Sequence, residues 1–311
     1  MRQTMHQLNE SEKSLLNQVA VVSVTYNSSA LAEYFAETVT PFPHVIAVDN
    51  NSADGTAGKL KQLLPCATVI CNADNLGFGP ANNVGMRAVA PSVPYILFLN
   101  PDCKIAPADV IQLIRTLQQH PDAAIASPVM HDGSGEVVRP KTRDYSMGYR
   151  QSRATEIDQD LSQPQVHRGV CIDGACFLVD AAKFRAVGGF DDQIFMYFEE
   201  DDIALRMARH GFAVLLDTAA RATHLRGTST RNTMRVQIRR AYHFRWSKYY
   251  LTNAHLGPSS RLVEVTRYMV LSLPRLVWYA LSADKSRLAR SIGWFLASID
   301  GIFMTRLFKF L

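Results

Sequence analysis

Asp102 stands where an apolar run ends, in the stretch YILFLNPDC. A carboxylate at a strand terminus, preceded by proline and polar backbone, suits a hard divalent cation that also holds phosphate oxygens. An ordinary Asx turn would use the same residues. A second acidic group, Glu199-Glu200-Asp201-Asp202, opens a helical stretch. Its proton affinity can be driven either way, down by the helix end and up by like charges beside it. A solvated helix start rich in acids is the alternative.

These residues need elements to hold them. Residues 19–25, 45–48, 68–70, 95–99 and 124–126 read as short buried strands, with helical stretches near 30–38, 56–64, 80–89 and 107–119. That alternation predicts a mostly parallel sheet with helices on both faces. Ligands collect at the carboxyl ends of such strands. The loops there are polar: Tyr26-Asn27-Ser28, the run from Asp49 to Gly55, the Gly-rich NLGFGPANN, and Asn100-Pro101-Asp102. Each alone is an ordinary turn or cap, but four on one edge point to a polar ligand site. Residues 131–168 read as a hairpin and a mobile segment; DGACFLVDAAKFRAVGGF then reads as a strand, a short helix and a Gly-Gly turn.

With 311 residues, 47% hydrophobic and 20% charged, the chain can bury a large core. The N-terminus lacks the apolar core of a secretory signal, which predicts a cytoplasmic protein with a flexible tail over 1–17. Five cysteines without a CxxC pair argue against a disulfide framework and a structural zinc site, and most are expected in the core. Residues 221–311 hold 16 Lys/Arg against 3 Asp/Glu, a balance of +13, whereas residues 1–220 hold 17 against 25, a balance of −8. The basic third therefore predicts an anionic partner, nucleic acid or an acidic membrane.

The motifs VVSVTYNS, VDNNSADGT, NLGFGPANNVG, LFLNPD, DGACFLV, GGFDDQIFMYFEEDDIALR and HLRGTST, in this order, resemble the family 2 inverting glycosyltransferases. The resemblance spans about residues 19–250. It implies an α/β GT-A (Rossmann-like) fold: a mixed, mostly parallel sheet flanked by helices. The catalytic domain would cover 18–230, followed by a C-terminal helical, membrane-associating extension over 231–311. Thr25, Tyr26 and Asn27 would line the nucleoside pocket, and Asp49 would bind the base or ribose. Asn75, Gly77 and Asn83 match the segment beneath the nucleotide. Asn100 and Asp102 fall on the metal-binding Asp-x-Asp motif, whose first Asp is Asn here, leaving Asp102 as main ligand for Mg²⁺ or Mn²⁺. His224 matches a His near the metal and diphosphate, and Arg226 would contact phosphate. Glu200 occupies the position of the catalytic base, with Glu199 the acid before it, while Asp202 would fix the helix.

The resemblance is strongest to rhamnosyltransferases of surface-polysaccharide synthesis. It implies a nucleotide-diphosphate sugar donor, dTDP- or UDP-linked, with L-rhamnose the first choice, and a polyprenyl-linked glycan acceptor. A processive polysaccharide synthase is a second reading. Against it, multiple spans are not evident, and the Gln-x-x-Arg-Trp motif finds only Gln237-Ile238-Arg239-Arg240-Ala241. A non-catalytic membrane or nucleic-acid binding protein is a third, opposed by retention of Asp102 and the Glu199–Glu200 pair. In the basic third, a helix from Arg231 precedes apolar stretches at 268–281 and 288–308. Both are short or interrupted for a bilayer span. In the second, Leu288, Ile292, Phe295, Leu296, Ile299, Ile302, Phe303 and Leu307 recur at helical spacing. That stripe predicts a helix lying in an anionic membrane interface on the cytoplasmic side, rather than nucleic-acid binding. Packing on the catalytic domain is the alternative.

Overall fold

The computed structural model describes residues 8–143, 154–157, 160–169, 171–225 and 233–308. Four strands, β1 (Val19–Thr25), β2 (His44–Asp49), β3 (Thr68–Cys71) and β4 (Tyr95–Leu99), form a parallel block in the order β3-β2-β1-β4. Beyond β4 lies β10 (Cys176–Asp180), antiparallel both to β4 and to β6 (Ala123–Asp132). Next comes β11 (Ala213–His224), parallel to β6, with the short β5 (Cys103–Ile105) and β9 (Val166–Arg168) antiparallel to it. The short β7 (Lys141–Thr142) and β8 (Thr155–Glu156) make a separate two-stranded pair.

Alternation along β1 explains why the sheet is covered twice. Val19 and Val21 enter one core with Phe35, Leu60 and Ile111; Ala20 and Val22 enter the other with Met86, Phe184 and Ile203. The first face is closed by α1 (Glu10–Leu16), α2 (Ala32–Val39), α3 (Thr56–Leu63) and α5 (Pro107–Gln119). The second is closed by α4 (Phe78–Ala88), α6 (Ala181–Ala186) and α7 (Glu199–Arg209). Each fully buried aliphatic side chain stabilises this arrangement by about 1.5–3 kcal/mol.

Three expectations change. Residues 10–16 are not a flexible tail: Asn9 and Glu12 form a reciprocal capping box, and Leu16 enters the first core. Cys103 and Cys176 are buried, but Cys66 and Cys71 are exposed because they lie at the ends of the edge strand β3 and its loop. The third concerns the C-terminal helices α8 (Met234–Leu256), α9 (Pro258–Leu281) and α10 (Lys285–Phe303). The face of α10 that packs inward carries Ala289, Gly293, Ala297 and Gly301 at four-residue spacing, with Ser298 and Asp300. Gly293 is required by that approach, since a Cβ there would stand 2.4 Å from the Ile238 carbonyl oxygen of α8. Asp300 accepts from Tyr242 Oη (2.7 Å) and Thr305 Oγ1 (2.6 Å), so its oxygens are satisfied inside the bundle. The predicted apolar stripe is mostly half-buried flank. The exposed apolar face belongs instead to α9, where Val277, Trp278 and Leu281 are 62%, 67% and 80% exposed. Among the described residues no helix is long and apolar enough to cross a membrane.

Candidate active site

The parallel block presents its carboxyl ends as one edge. Register sets Thr25 beside Asp49, and Thr25 Oγ1 donates to Asp49 Oδ1 at 3.2 Å. Asp49 also accepts from Ser52 Oγ (2.6 Å) and Ser52 N (2.9 Å). Asn27, with φ 51°, accepts from Ala53 N and donates its own N–H to Ser52 Oγ. These residues are fastened to one another, and they shape the loops beneath a cleft of about 620 Å³. The cleft itself is lined from this side by Tyr26, Ser28 and Asn50.

Asn75 and Gly77 also line the cleft, and Asn75 Oδ1 accepts from Gly77 N at 3.0 Å. Gly77 has φ 93°, and a Cβ there would lie 2.0 Å from the Phe195 carbonyl oxygen. Both facts exclude a side chain. Asn83 is elsewhere: it is buried, donates to Phe190 O and Asp192 Oδ1 (both 2.8 Å), and accepts from Phe190 N. It locks the GGFDD turn instead of touching the cleft.

At the end of β4, Asn100, Pro101 and Asp102 form the cleft floor. Antiparallel pairing sets His224 against Cys103, and Leu225 N donates to Asp102 O at 3.0 Å. His224 Nε2 consequently lies 3.2 Å from Asp102 Oδ1, with Asp102 7% exposed. Among the described residues no three His, Cys, Asp or Glu converge as a self-sufficient metal cage. The pair fits a cation of the kind that takes one or two protein ligands and completes its shell with substrate phosphate and water. Arg226 lies outside the described residues.

The acids occupy a neighbouring cavity of about 280 Å³ that contains Glu199, Glu200 and Asp201 and shares Tyr197 with the cleft. Tyr197 and Phe198 are both left-handed, with φ 72° and 67°, a conformation uncommon for aromatic residues. Helix α8 holds this turn: His243 stacks on Phe195 at 4.3 Å, Ser247 Oγ donates to Met196 O, and Tyr250 Oη donates to Asp191. Asp202 is occupied by Arg206 (2.6 Å) and His255 (3.2 Å), and Asp201 by Arg143 (2.7 Å). Glu199 is 4% exposed, and among the described residues its Oε2 has no hydrogen-bond partner. Burial, aided by the charge of Asp201, pushes its carboxyl up to about 7. Glu200 packs so closely on Gly174 that a Cβ there would stand 1.9 Å from Oε1. Burial, then the charges of Glu199, Asp173 and Asp201, raises its carboxyl well above the usual range.

Residues 20–184 match glycosyl transferase family 2. The chain belongs to that family. It is 27% identical over 263 residues to N-acetylglucosaminyl-diphospho-decaprenol L-rhamnosyltransferase of Mycobacterium tuberculosis, covering 76% of this chain and 85% of the relative. It is 24% identical over 293 residues to dTDP-rhamnosyl transferase RfbF of Shigella flexneri, covering 91% and 95%. Among solved structures, mannosyltransferase PcManGT from Pyrobaculum calidifontis, in complex with GDP-Man and Mn²⁺, superposes with a TM-score of 0.54 at 16% identity, covering 92% of this chain and 87% of that one. That likeness concerns the fold, which is the GT-A arrangement.

Within this family 2 fold, Tyr26, Asn75, Gly77, Asn100, Asp102 and His224 converge on one cleft. Thr25, Asn27, Asp49 and Asn83 support it from outside its lining, and Glu199 and Glu200 lie across Tyr197. Sequence reasoning assigned no site role to Phe195, Met196 and Tyr197, or to Arg239 and Arg240, all of which line the cleft. The signal for the first three was their place directly before the acidic run. The arginines were legible only as part of a basic helix.

Proposed function

We propose that this family 2 glycosyltransferase moves L-rhamnose from a dTDP-linked donor to a polyprenyl-linked glycan, with inversion, during bacterial cell-surface polysaccharide synthesis. The observation that carries the reading is the junction at Tyr197 of a cleft floored by Asp102 and His224 with a cavity holding Glu199 and Glu200. The nucleotide end of the donor lies against Tyr26, Ser28 and Asn50, and its diphosphate between Asp102 and Arg239. Asp102 and His224 would hold Mg²⁺ or Mn²⁺, which would neutralise charge gathering on the leaving diphosphate. Glu200 takes the proton of the acceptor hydroxyl; that oxygen bonds to the anomeric carbon as the bond to the diphosphate breaks on the opposite side. Glu199, alongside, keeps the pair's proton affinity high. The two rhamnosyltransferase relatives support the sugar, and RfbF the thymidine nucleotide. The Mn²⁺ in the PcManGT complex supports a divalent ion.

The same reading places the enzyme at the inner membrane face, through the exposed apolar side of α9 and the arginines on that helix. Thermal unfolding with a panel of nucleotide sugars, with and without Mn²⁺ or Mg²⁺, tests the donor assignment. dTDP-rhamnose plus metal is expected to protect most, by about 2.7 kcal/mol at a hundredfold excess over Kd. Equal melting temperatures across the panel would overturn it.

A further inference from the structure

A third cavity, a groove of about 440 Å³ between α8 and α10, lies beside the two just described. It shares Tyr197 and Phe244 with the acid cavity, and Tyr197 and Arg240 with the donor cleft. A molecule whose hydroxyl faces Glu200 can extend into it without crossing the donor. We infer that this groove holds the diphosphate of the lipid-linked acceptor, with Arg290 its principal ligand. The inference rests on the acceptor class proposed above and assigns it a place.

The chemistry of the walls carries the assignment. Arg240 and Arg290 are exposed along one groove, and among the described residues no ion pair engages either. Gln237 and Ser286 add neutral donors beside them. Two guanidinium groups lining one groove suit a doubly charged, multi-oxygen anion, which each can bind in a planar fork. The wall behind them is rigid. Trp294 is held by the Arg245 guanidinium, which lies 4.9 Å from its ring and 3.5 Å from that of Tyr268. Gly293 presses α10 onto α8 one residue before Trp294. The lipid has a path as well. The turn at 282–284 joins the exposed Val277, Trp278 and Leu281 of α9 to Ser286 at the groove. The diphosphate and the lipid chain thus each meet a surface of matching character.

The diphosphate of the donor is the competing source of the same chemistry, so the test blocks the donor cleft first. Full-length protein saturated with dTDP and Mg²⁺ is titrated calorimetrically with geranyl diphosphate. Binding is expected, weakened about tenfold or more by Arg290→Ala and partly restored by Arg290→Lys; tenfold corresponds to about 1.4 kcal/mol. Competition between geranyl diphosphate and dTDP, or an Arg290→Ala affinity within twofold of the parent, overturns the inference. In the transfer assay, Arg290→Ala should raise KM for a lipid-diphosphate-linked acceptor by a similar factor, with donor KM constant. An equal rise for a neutral octyl glycoside of the same sugar would show a merely structural effect and overturn it. The titration needs no turnover, so it remains readable even if the donor or the transfer reaction has been misassigned.

Discussion

In the sheet, apolar sequence and burial coincide, whereas in the C-terminal helices they separate. Val21 and Val22 fill opposite cores, as a strand covered on both faces requires. In α10 the inward positions are Ala289, Gly293, Ala297 and Gly301, while Phe303 is 75% exposed. In α9 only Val265 and Ser272 are buried, and Val263, Val270 and Val277 lie outside at seven-residue spacing. The sheet is therefore organised against water. The helices are organised by close backbone approach, with aromatic and polar anchors at Tyr242, Tyr249 and Asp300, and they leave an apolar side for something other than water. Exposed patches of that kind mark interaction surfaces.

The largest expected effects sharpen the sheet side of this contrast. Glu200→Gln should retain donor binding and lose ~10²–10⁴-fold in turnover, the usual contribution of a positioned base. An active Glu200→Gln paired with a dead Glu199→Gln would move the base by one residue. Asp102→Asn should lower turnover by ~10²–10³-fold, the scale of one lost electrostatic contact in a transition state. It should also remove the metal-dependent part of donor protection without lowering the melting temperature of the free enzyme. Metal-dependent binding that survives unchanged would take Asp102 out of the site.

The difference between the regions also explains what was legible in the sequence. The five strands at 19–25, 45–48, 68–70, 95–99 and 124–126 all form, because short apolar runs between turn residues have few other uses. Strand β6 runs on to Asp132, farther than expected, since Ser127, Pro128, His131 and Asp132 carry no apolar signal and are recruited by pairing with β11. Asp102 and Asn100 were findable from the rule that ligands gather at strand ends. Tyr197 and Arg240 were not, because they reach the cleft through a left-handed turn and a helix that returns from far along the chain. Residue types in α10 indicated which positions were apolar, but not that glycine and alanine would face inward.

Two further substitutions probe the buried polar chemistry and the close helix contact. Glu199 titrates near 7 in the folded protein against an ordinary 4.5. Its raised value means the unfolded chain loses this proton first, so the carboxyl costs stability as pH rises from 4.5 to 7. Glu199→Gln should match the parent below pH 4.5 and exceed it above pH 7 by on the order of 3 kcal/mol. A difference that is constant with pH would mean Glu199 is not perturbed. Gly293→Ala should destabilise by about 1–3 kcal/mol, as overpacking does. It should do so by lifting α10 from α8, while Gly135→Ala, in open space, tests only the cost of its φ of 88°.

The smallest effect on catalysis, and the sharpest test of the outward face, belongs to α9. Val270 and Val277 are each 62% exposed, one face of a helix that also carries Arg261, Arg267 and Arg275. If this side enters the boundary of an anionic bilayer, the apolar residues supply insertion and the arginines a salt-sensitive attraction of about 1 kcal/mol each. Charge alone would be screened over about 8 Å at physiological ionic strength. The double variant Val270→Glu plus Val277→Glu should therefore lose ~10²-fold or more in binding to vesicles containing phosphatidylglycerol. Its melting temperature should remain near that of the parent, because both valines are mostly exposed. Turnover with a water-soluble acceptor should stay within about twofold, since neither side chain lines the cleft, the acid cavity or the groove. Parent protein that binds anionic vesicles no better than neutral ones, or a variant that binds as the parent does, would break the comparison and leave the apolar side of α9 for a protein partner.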